Sequence, residues 1–232
     1  MQIGILQTGH VTPDIAARHG DFAAMFERLL DGRGYGFRTW NVVDMDFPSG
    51  PGDADAWLIT GSKHGAYEDH PFIPPLEALI RRIHDARVPL VGVCFGHQIV
   101  AQAMGGRVEK YAGGWAVGRT EYHLDGIGQV HLNAWHQDQV VEIPPGATPA
   151  GENGHCRLAA LSYGDRMWTV QPHPEFGPEI VADYVPARRG TADYPDALMD
   201  RAAAQTALPV DQHRLADHMA GIFAAAEARA HA

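Results

Sequence analysis

Val91-Gly92-Val93-Cys94-Phe95-Gly96-His97-Gln98-Ile99 sets a single cysteine between two glycines, where an apolar strand pattern passes into a helical one. Residues 89–93 form a short apolar run, and from Ile99, Val100, Ala103 and Met104 onward the apolar spacing is helical, so Cys94 falls in the turn between them. Without Cβ atoms, Gly92 and Gly96 allow strained dihedrals and close backbone approach, which a sharp strand-to-helix elbow needs. Such an elbow presents a nucleophile above the end of a sheet. At a helix N-terminus the cysteine also meets unpaired N–H groups and the positive end of the helix dipole, which favour thiolate over thiol. A free cysteine is equally at home as core packing, so the reading turns on finding a base.

The base lies in Met167-Trp168-Thr169-Val170-Gln171-Pro172-His173-Pro174-Glu175, where an apolar strand runs into a histidine held between two prolines. Each proline pushes the residue before it toward extended dihedrals, so Gln171 and His173 are biased away from helix. In extended chain, positions i and i+2 share a side. His173 and Glu175 therefore meet, with the carboxylate accepting from one ring nitrogen and the other free to face a thiol. Nucleophile, base and a group that orients the base make up a hydrolytic triad.

With these motifs in hand, the chain resembles class I glutamine amidotransferases, whose triad is a cysteine in a Gly-x-Cys-x-Gly-x-Gln elbow and a distant His-x-Glu. Here those residues are Gly92, Cys94, Gly96, Gln98, His173 and Glu175. The match runs from the first strand to about residue 180. The resemblance implies catalysis by Cys94, His173 and Glu175, and an oxyanion hole with one donor from the residue after the nucleophile, Phe95, and a second near Gly61 and Ser62 in Leu58-Ile59-Thr60-Gly61-Ser62. It also implies that Gln98, His136, Gln137 and Asp138 hold the substrate, Asp138 pairing its ammonium. Guanosine monophosphate synthetases usually have Gly-Gly-Pro after the third strand, where this chain reads Thr60-Gly61-Ser62-Lys63-His64-Gly65. That departure places it nearer the stand-alone branch, which includes the γ-glutamyl peptidases. The polar stretch from Lys63 to His70 beside the expected oxyanion hole reads as a lid or specificity loop.

The rest of the chain fits an α/β class. Residues 1–7 alternate as a strand. Thr12-Pro13-Asp14 marks a helix start, and an amphipathic helix with Ile15, Phe22, Met25, Phe26, Leu29 and Leu30 on one face is expected to run to Gly32. Strands are expected at 37–43, 56–60 and 90–93, with a helix at 76–83. This βαβ rhythm implies a mostly parallel central sheet flanked by helices, flavodoxin-like as in the family, with ligand sites at the carboxyl ends of strands. Beyond Gly105, segments 118–122, 129–133, 140–143, 157–162 and 167–170 suggest a small antiparallel addition. One domain is expected, with a core over about 1–180 and a helical segment over 181–232 whose last helix begins near Asp211.

Eighteen basic against 28 acidic residues give a net charge of −10, which argues against nucleic acid or an anionic membrane as partner. No leader-like pattern or apolar run of spanning length occurs, so a cytoplasmic protein is expected. Of its two cysteines, Cys156 reads as a core residue. Fourteen histidines invite a metal reading, but there is no His-Glu-x-x-His or Cys-x-x-Cys, and no phosphate loop; no metal and no cofactor are assigned. The expected substrate is glutamine or a γ-glutamyl amide, opened through a γ-glutamyl thioester. Three outcomes stay open: a γ-glutamyl peptidase, a catalytically silent glutamine-sensing or partner-docking module, or a glutaminase whose ammonia passes to a separate synthetase or acceptor subunit.

Overall fold

A computed structural model of the chain describes residues 1–191 and 194–230, without side chains for 225–230. Strand β1 (Gln2–Leu6) leads to two helices, α1 (Pro13–His19) and α2 (Phe22–Leu29), then to β2 (Gly36–Trp40), β3 (Ala56–Ile59), α3 (Ile73–Asp85), β4 (Leu90–Val93) and α4 (Phe95–Ala103). The single helix expected over residues 13–32 is thus two. Gly20, at φ 75° and ψ 173°, ends the first, and the Asp21 carboxylate restarts the second by accepting from the N–H groups of Phe22 and Val11. The second strand stops at Trp40, because residues 42–44 turn as 3-10 helix. Helix α3 starts earlier than the apolar spacing suggests, since Pro74 and Pro75 fall in its first turn, where no N–H is needed.

The remaining strands are β5 (Arg107–Lys110), β6 (Ala116–Leu124), β7 (Gly128–His136), β8 (Asp138–Glu142), β9 (Thr148–Glu152), β10 (Ala160–Tyr163) and β11 (Met167–Val170), followed by α5 (Pro178–Arg188), α6 (Asp196–Ala204) and α7 (Gln212–Ala230). The central sheet has the order β2-β1-β3-β4-β11-β10-β9-β6-β7, and β5 and β8 form a separate antiparallel pair. From β2 to β11 the neighbours run parallel; from β11 to β7 they run antiparallel. Strand β11 is therefore not simply part of the antiparallel addition: it pairs parallel with β4, placing Val170 opposite Val93. That pairing carries the residues after β11 to the same sheet edge as Cys94.

Strand alternation sends neighbouring side chains into different cores. Ala56 and Leu58 of β3 join Phe26, Leu215 and Phe223 on one face, while Trp57 and Ile59 join Leu79, Phe95 and Ile99 on the other. All four residues of β3 and all four of β4 are buried, as expected of parallel strands covered on both sides. Cys156 is fully buried and unpaired. No helix among the described residues is long and apolar enough to cross a membrane.

The elbow after β4 is packed without slack. A Cβ on Gly96 would stand 2.3 Å from the Ile59 carbonyl oxygen, and one on Gly92 would stand 2.6 Å from the Gly96 oxygen. Both obstacles are backbone, so neither can swing aside. Gly96→Ala should lower the stability of the fold by about 1–3 kcal/mol, the usual range for overpacking. Denaturant unfolding beside Ala103→Gly, a helix-end control, would measure it; an unchanged midpoint would mean that the elbow is looser than its contacts indicate.

Candidate active site

Cys94 has φ 54° and ψ −105°, an uncommon region for a side chain with a Cβ. The surrounding backbone over-determines it: Cys94 N donates to Val170 O at 2.9 Å, Gly96 N to Thr60 O at 3.1 Å and Gln98 N to Cys94 O at 3.1 Å. These bonds tie the elbow to the ends of both neighbouring strands, β3 and β11. Phe95 opens α4, so its N–H has no intrahelical acceptor. Gly61 lies at the end of β3, where a Cβ would approach His173 Cε1 to 2.9 Å. The Ser62 hydroxyl donates to Thr8 O at 2.8 Å and accepts from His64 N at 3.2 Å, which fixes the path of this turn.

His173 Nδ1 and Glu175 Oε1 are 2.7 Å apart, with both side chains almost wholly buried. Three further contacts hold the imidazole. His173 N donates to Asn133 O on β7 at 2.9 Å, Asn133 Nδ2 donates to Phe176 O at 2.8 Å, and the Phe176 ring stacks on the imidazole at 4.1 Å and 8°. Burial alone would lower the basicity of His173, but the Glu175 carboxylate and the Cys94 sulfur beside it hold its pKa up to about 10. The direction of that shift favours the protonated imidazole. Among the described residues, Glu175 Oε2 has no hydrogen-bond partner.

A cavity of about 350 Å³ opens over Cys94 and His173. Of the residues expected to hold substrate, Gln98, His136, Gln137 and Asp138 all line it. Gln98 is buried, and its Nε2 donates to Asp138 O at 2.8 Å and to Gln171 Oε1 at 3.1 Å, so it braces the start of β8, which carries Asp138. Burial drives the His136 pKa down to about 3, and its buried Nε2 has no hydrogen-bond partner among the described residues. Gln137 Nε2 donates to Tyr111 O at 3.2 Å. Burial also raises the pKa of Asp138, whose Oδ1 accepts from Tyr67 OH at 3.2 Å.

Two groups of residues were not legible in the motifs. Gln171 Nε2 lies 3.7 Å from Cys94 Sγ as a donor, linking the sulfur through Gln171 and Gln98 to Asp138. The alternation that joins His173 to Glu175 extends backward to Gln171 and could have found it. An aromatic wall of Trp115, Trp135, Tyr184 and Tyr194 also borders the cavity. It is drawn from the residue before β6, from β7, from α5 and from the segment before α6, which no local spacing connects. The segment expected to be a lid or specificity loop contributes Lys63, His64, Tyr67 and Glu68 to the cavity lining.

A strained cysteine at a helix N-terminus, a buried imidazole beside it and a cavity above them stand at the carboxyl ends of strands in an open α/β sheet. Residues 47–185 match the glutamine amidotransferase class-I family, and the chain belongs to that family. It is 31% identical to a glutamine amidotransferase-like protein of Schizosaccharomyces pombe, over 92% of this chain and 95% of the other. It is 28% identical to gamma-glutamyl peptidase 3 of Arabidopsis thaliana over 72% of this chain and 74% of that one, and 31% identical to a glutamine-hydrolyzing GMP synthase subunit of Halobacterium salinarum over 69% and 87%. A solved glutamine amido transferase from Methylobacillus flagellatus superposes with a TM-score of 0.76 at 24% identity, covering 98% of this chain and 94% of that one, a likeness of fold.

The upward shift of His173 predicts that folding is sensitive to alkali. Stabilisation from the His173–Glu175 pair should be complete below the ordinary histidine pKa of 6.5 and be lost as pH rises toward about 10. The difference in thermal midpoint between the native protein and Glu175→Gln should therefore shrink as pH is raised across that window. Melting curves taken at intervals through it would show this; a constant difference would mean that the pair is not charged.

Proposed function

We propose that this protein hydrolyses the γ-amide bond of glutamine or a γ-glutamyl compound, with Cys94 as nucleophile. The observation that carries this reading is the buried His173–Glu175 pair held beside a cysteine whose backbone is strained toward the cavity. In this scheme the Cys94 proton resides on His173, and the thiolate attacks the side-chain carbonyl carbon of the substrate. Phe95 N–H and the backbone at Gly61 and Ser62 receive the developing oxyanion. As the C–N bond breaks, the His173 imidazolium protonates the departing amine and leaves a γ-glutamyl thioester. His173 then takes a proton from water, which attacks the thioester; glutamate leaves and the thiolate returns. Asp138 pairs the substrate ammonium, while neutral His136 offers its unpartnered Nε2 to the amino-acid end.

The breadth of the cavity favours the γ-glutamyl peptidase reading over simple glutaminase action. Its aromatic wall lies beyond what a carboxamide needs, and gives a leaving group larger than ammonia a surface to rest on. The Arabidopsis relative bears that name. The Halobacterium relative supports the other outcome, ammonia released to a separate synthetase partner. Both cysteines are unpaired, which suits a reducing, cytoplasmic setting.

Incubation with glutamine, γ-glutamyl dipeptides and glutathione, followed by mass spectrometry, tests the reading directly. Cys94→Ala should reduce turnover by at least about 10³-fold, His173→Ala comparably, and Glu175→Gln by less, because an orienting group is partly spared. A glutamine-mimicking electrophile should add once to the native protein and not to Cys94→Ala. Retention of most activity by Cys94→Ala would end the proposal. Absence of both turnover and labelling in the native protein would favour a glutamine-sensing or docking role.

A further inference from the structure

His64, Glu68 and His70 stand together at the cavity rim, with one ligand-capable atom from each lying within 4.8 Å of the other two. His70 Nε2 is 2.9 Å from Glu68 Oε2, and His64 Nδ1 is 3.9 Å from the same oxygen. Two imidazoles and a carboxylate are the donor set that binds zinc through three protein ligands and leaves a fourth position open. Around a tetrahedral zinc with bonds of about 2.0–2.1 Å, ligand atoms sit roughly 3.3 Å apart. The observed separations bracket that value, so small side-chain rotations would close the site.

The backbone has already made the approach. Glu68 N donates to Gly65 O, His70 N to Glu68 O and Ile73 N to His70 O, successive turns that fold residues 64, 68 and 70 onto one another. Gly65 N donates to Glu68 Oε2 at 3.0 Å, fixing the carboxylate as outer-sphere partners do in metal sites. The His64 and His70 rings lie 4.1 Å apart, and His70 stacks against the buried Phe72. Ions that prefer all-oxygen surroundings would find two nitrogens here, which turns the choice toward zinc and its neighbours.

The structure assigns to the loop from Lys63 to His70 a zinc(II) site formed by His64, Glu68 and His70, with water or a substrate group as the fourth ligand. His64 and Glu68 share the cavity with Cys94, so the metal would stand at its mouth. Tyr67, between two of the ligands, donates to Asp138. Occupancy would thus fix the segment that shapes access to the cavity. The sequence hides this set because the ligands follow a His-x-x-x-Glu-x-His spacing on a loop, with no helix to signal them. The inference does not rest on Cys94 being a nucleophile.

Untagged, chelator-treated Cys94→Ala protein is the reagent for the test, because it removes the thiol beside His173 as a competing zinc site. Calorimetric titration with zinc chloride should give one equivalent, and cobalt chloride should give visible absorption of a four-coordinate nitrogen–oxygen site without a sulfur charge-transfer band. Adding His64→Gln or His70→Gln should weaken binding at least about 10-fold, the lower end of losses seen when even a residue that only supports a ligand is changed. His84→Gln, which alters an exposed histidine on α3, should leave it unchanged. No binding by Cys94→Ala, or binding indifferent to both loop substitutions, would overturn the assignment.

Discussion

The close contact of three backbone segments at the end of β4 is the constraint on which the candidate site depends. Gly96 presses against the Ile59 carbonyl, Gly92 against Gly96, and Cys94 is left between them at φ 54°. Strain of this kind costs about 1–3 kcal/mol and persists only where neighbouring bonds over-determine it. Those bonds run to Thr60 on one side and Val170 on the other. Because the same contact locates the turn after β3 and the loop after β11, the proposed nucleophile, oxyanion donors and base share one frame.

A second constraint is electrostatic. Burying His173 and Glu175 together takes two ionisable groups out of water, and such a pair adds little to stability once desolvation is counted. Its value is in placement. Glu175 Oε1 lies 2.7 Å from His173 Nδ1, so the carboxylate and the imidazole hold each other. Stacking by Phe176, in turn stacked on Phe22 of α2, limits rotation of the ring. A helix that the sequence suggests is only packing thereby supports the face of the candidate base.

The loop from Lys63 to His70 touches both of these frames. It continues from the Gly61–Ser62 turn, its Tyr67 reaches Asp138, and its His64, Glu68 and His70 form the inferred zinc site. Substrate access, substrate recognition and metal occupancy would then be linked through one short segment. A loop is a suitable carrier for such linkage, because it can rearrange without disturbing the buried strands beneath it.

Much of this was legible in the chain itself, and for local reasons. The glycines around Cys94, the prolines around His173 and the i, i+2 relation to Glu175 are constraints that act within a few residues, so the sequence alone determined the elbow, the extended loop of His173 and the meeting of His173 with Glu175. The succession of strand and helix patterns likewise determined an α/β sheet. The break at Gly20 was not determined that way, because apolar spacing on both sides of it continued to suit one helix. Nor was the parallel pairing of β11 with β4, the Gln98–Gln171–Cys94 chain, the aromatic wall or the meeting of His64, Glu68 and His70. Those depend on which distant segments lie side by side, and only the tertiary structure decides that, since hydrogen bonds and ring contacts act over ångströms while sequence pattern speaks only for neighbours along the chain.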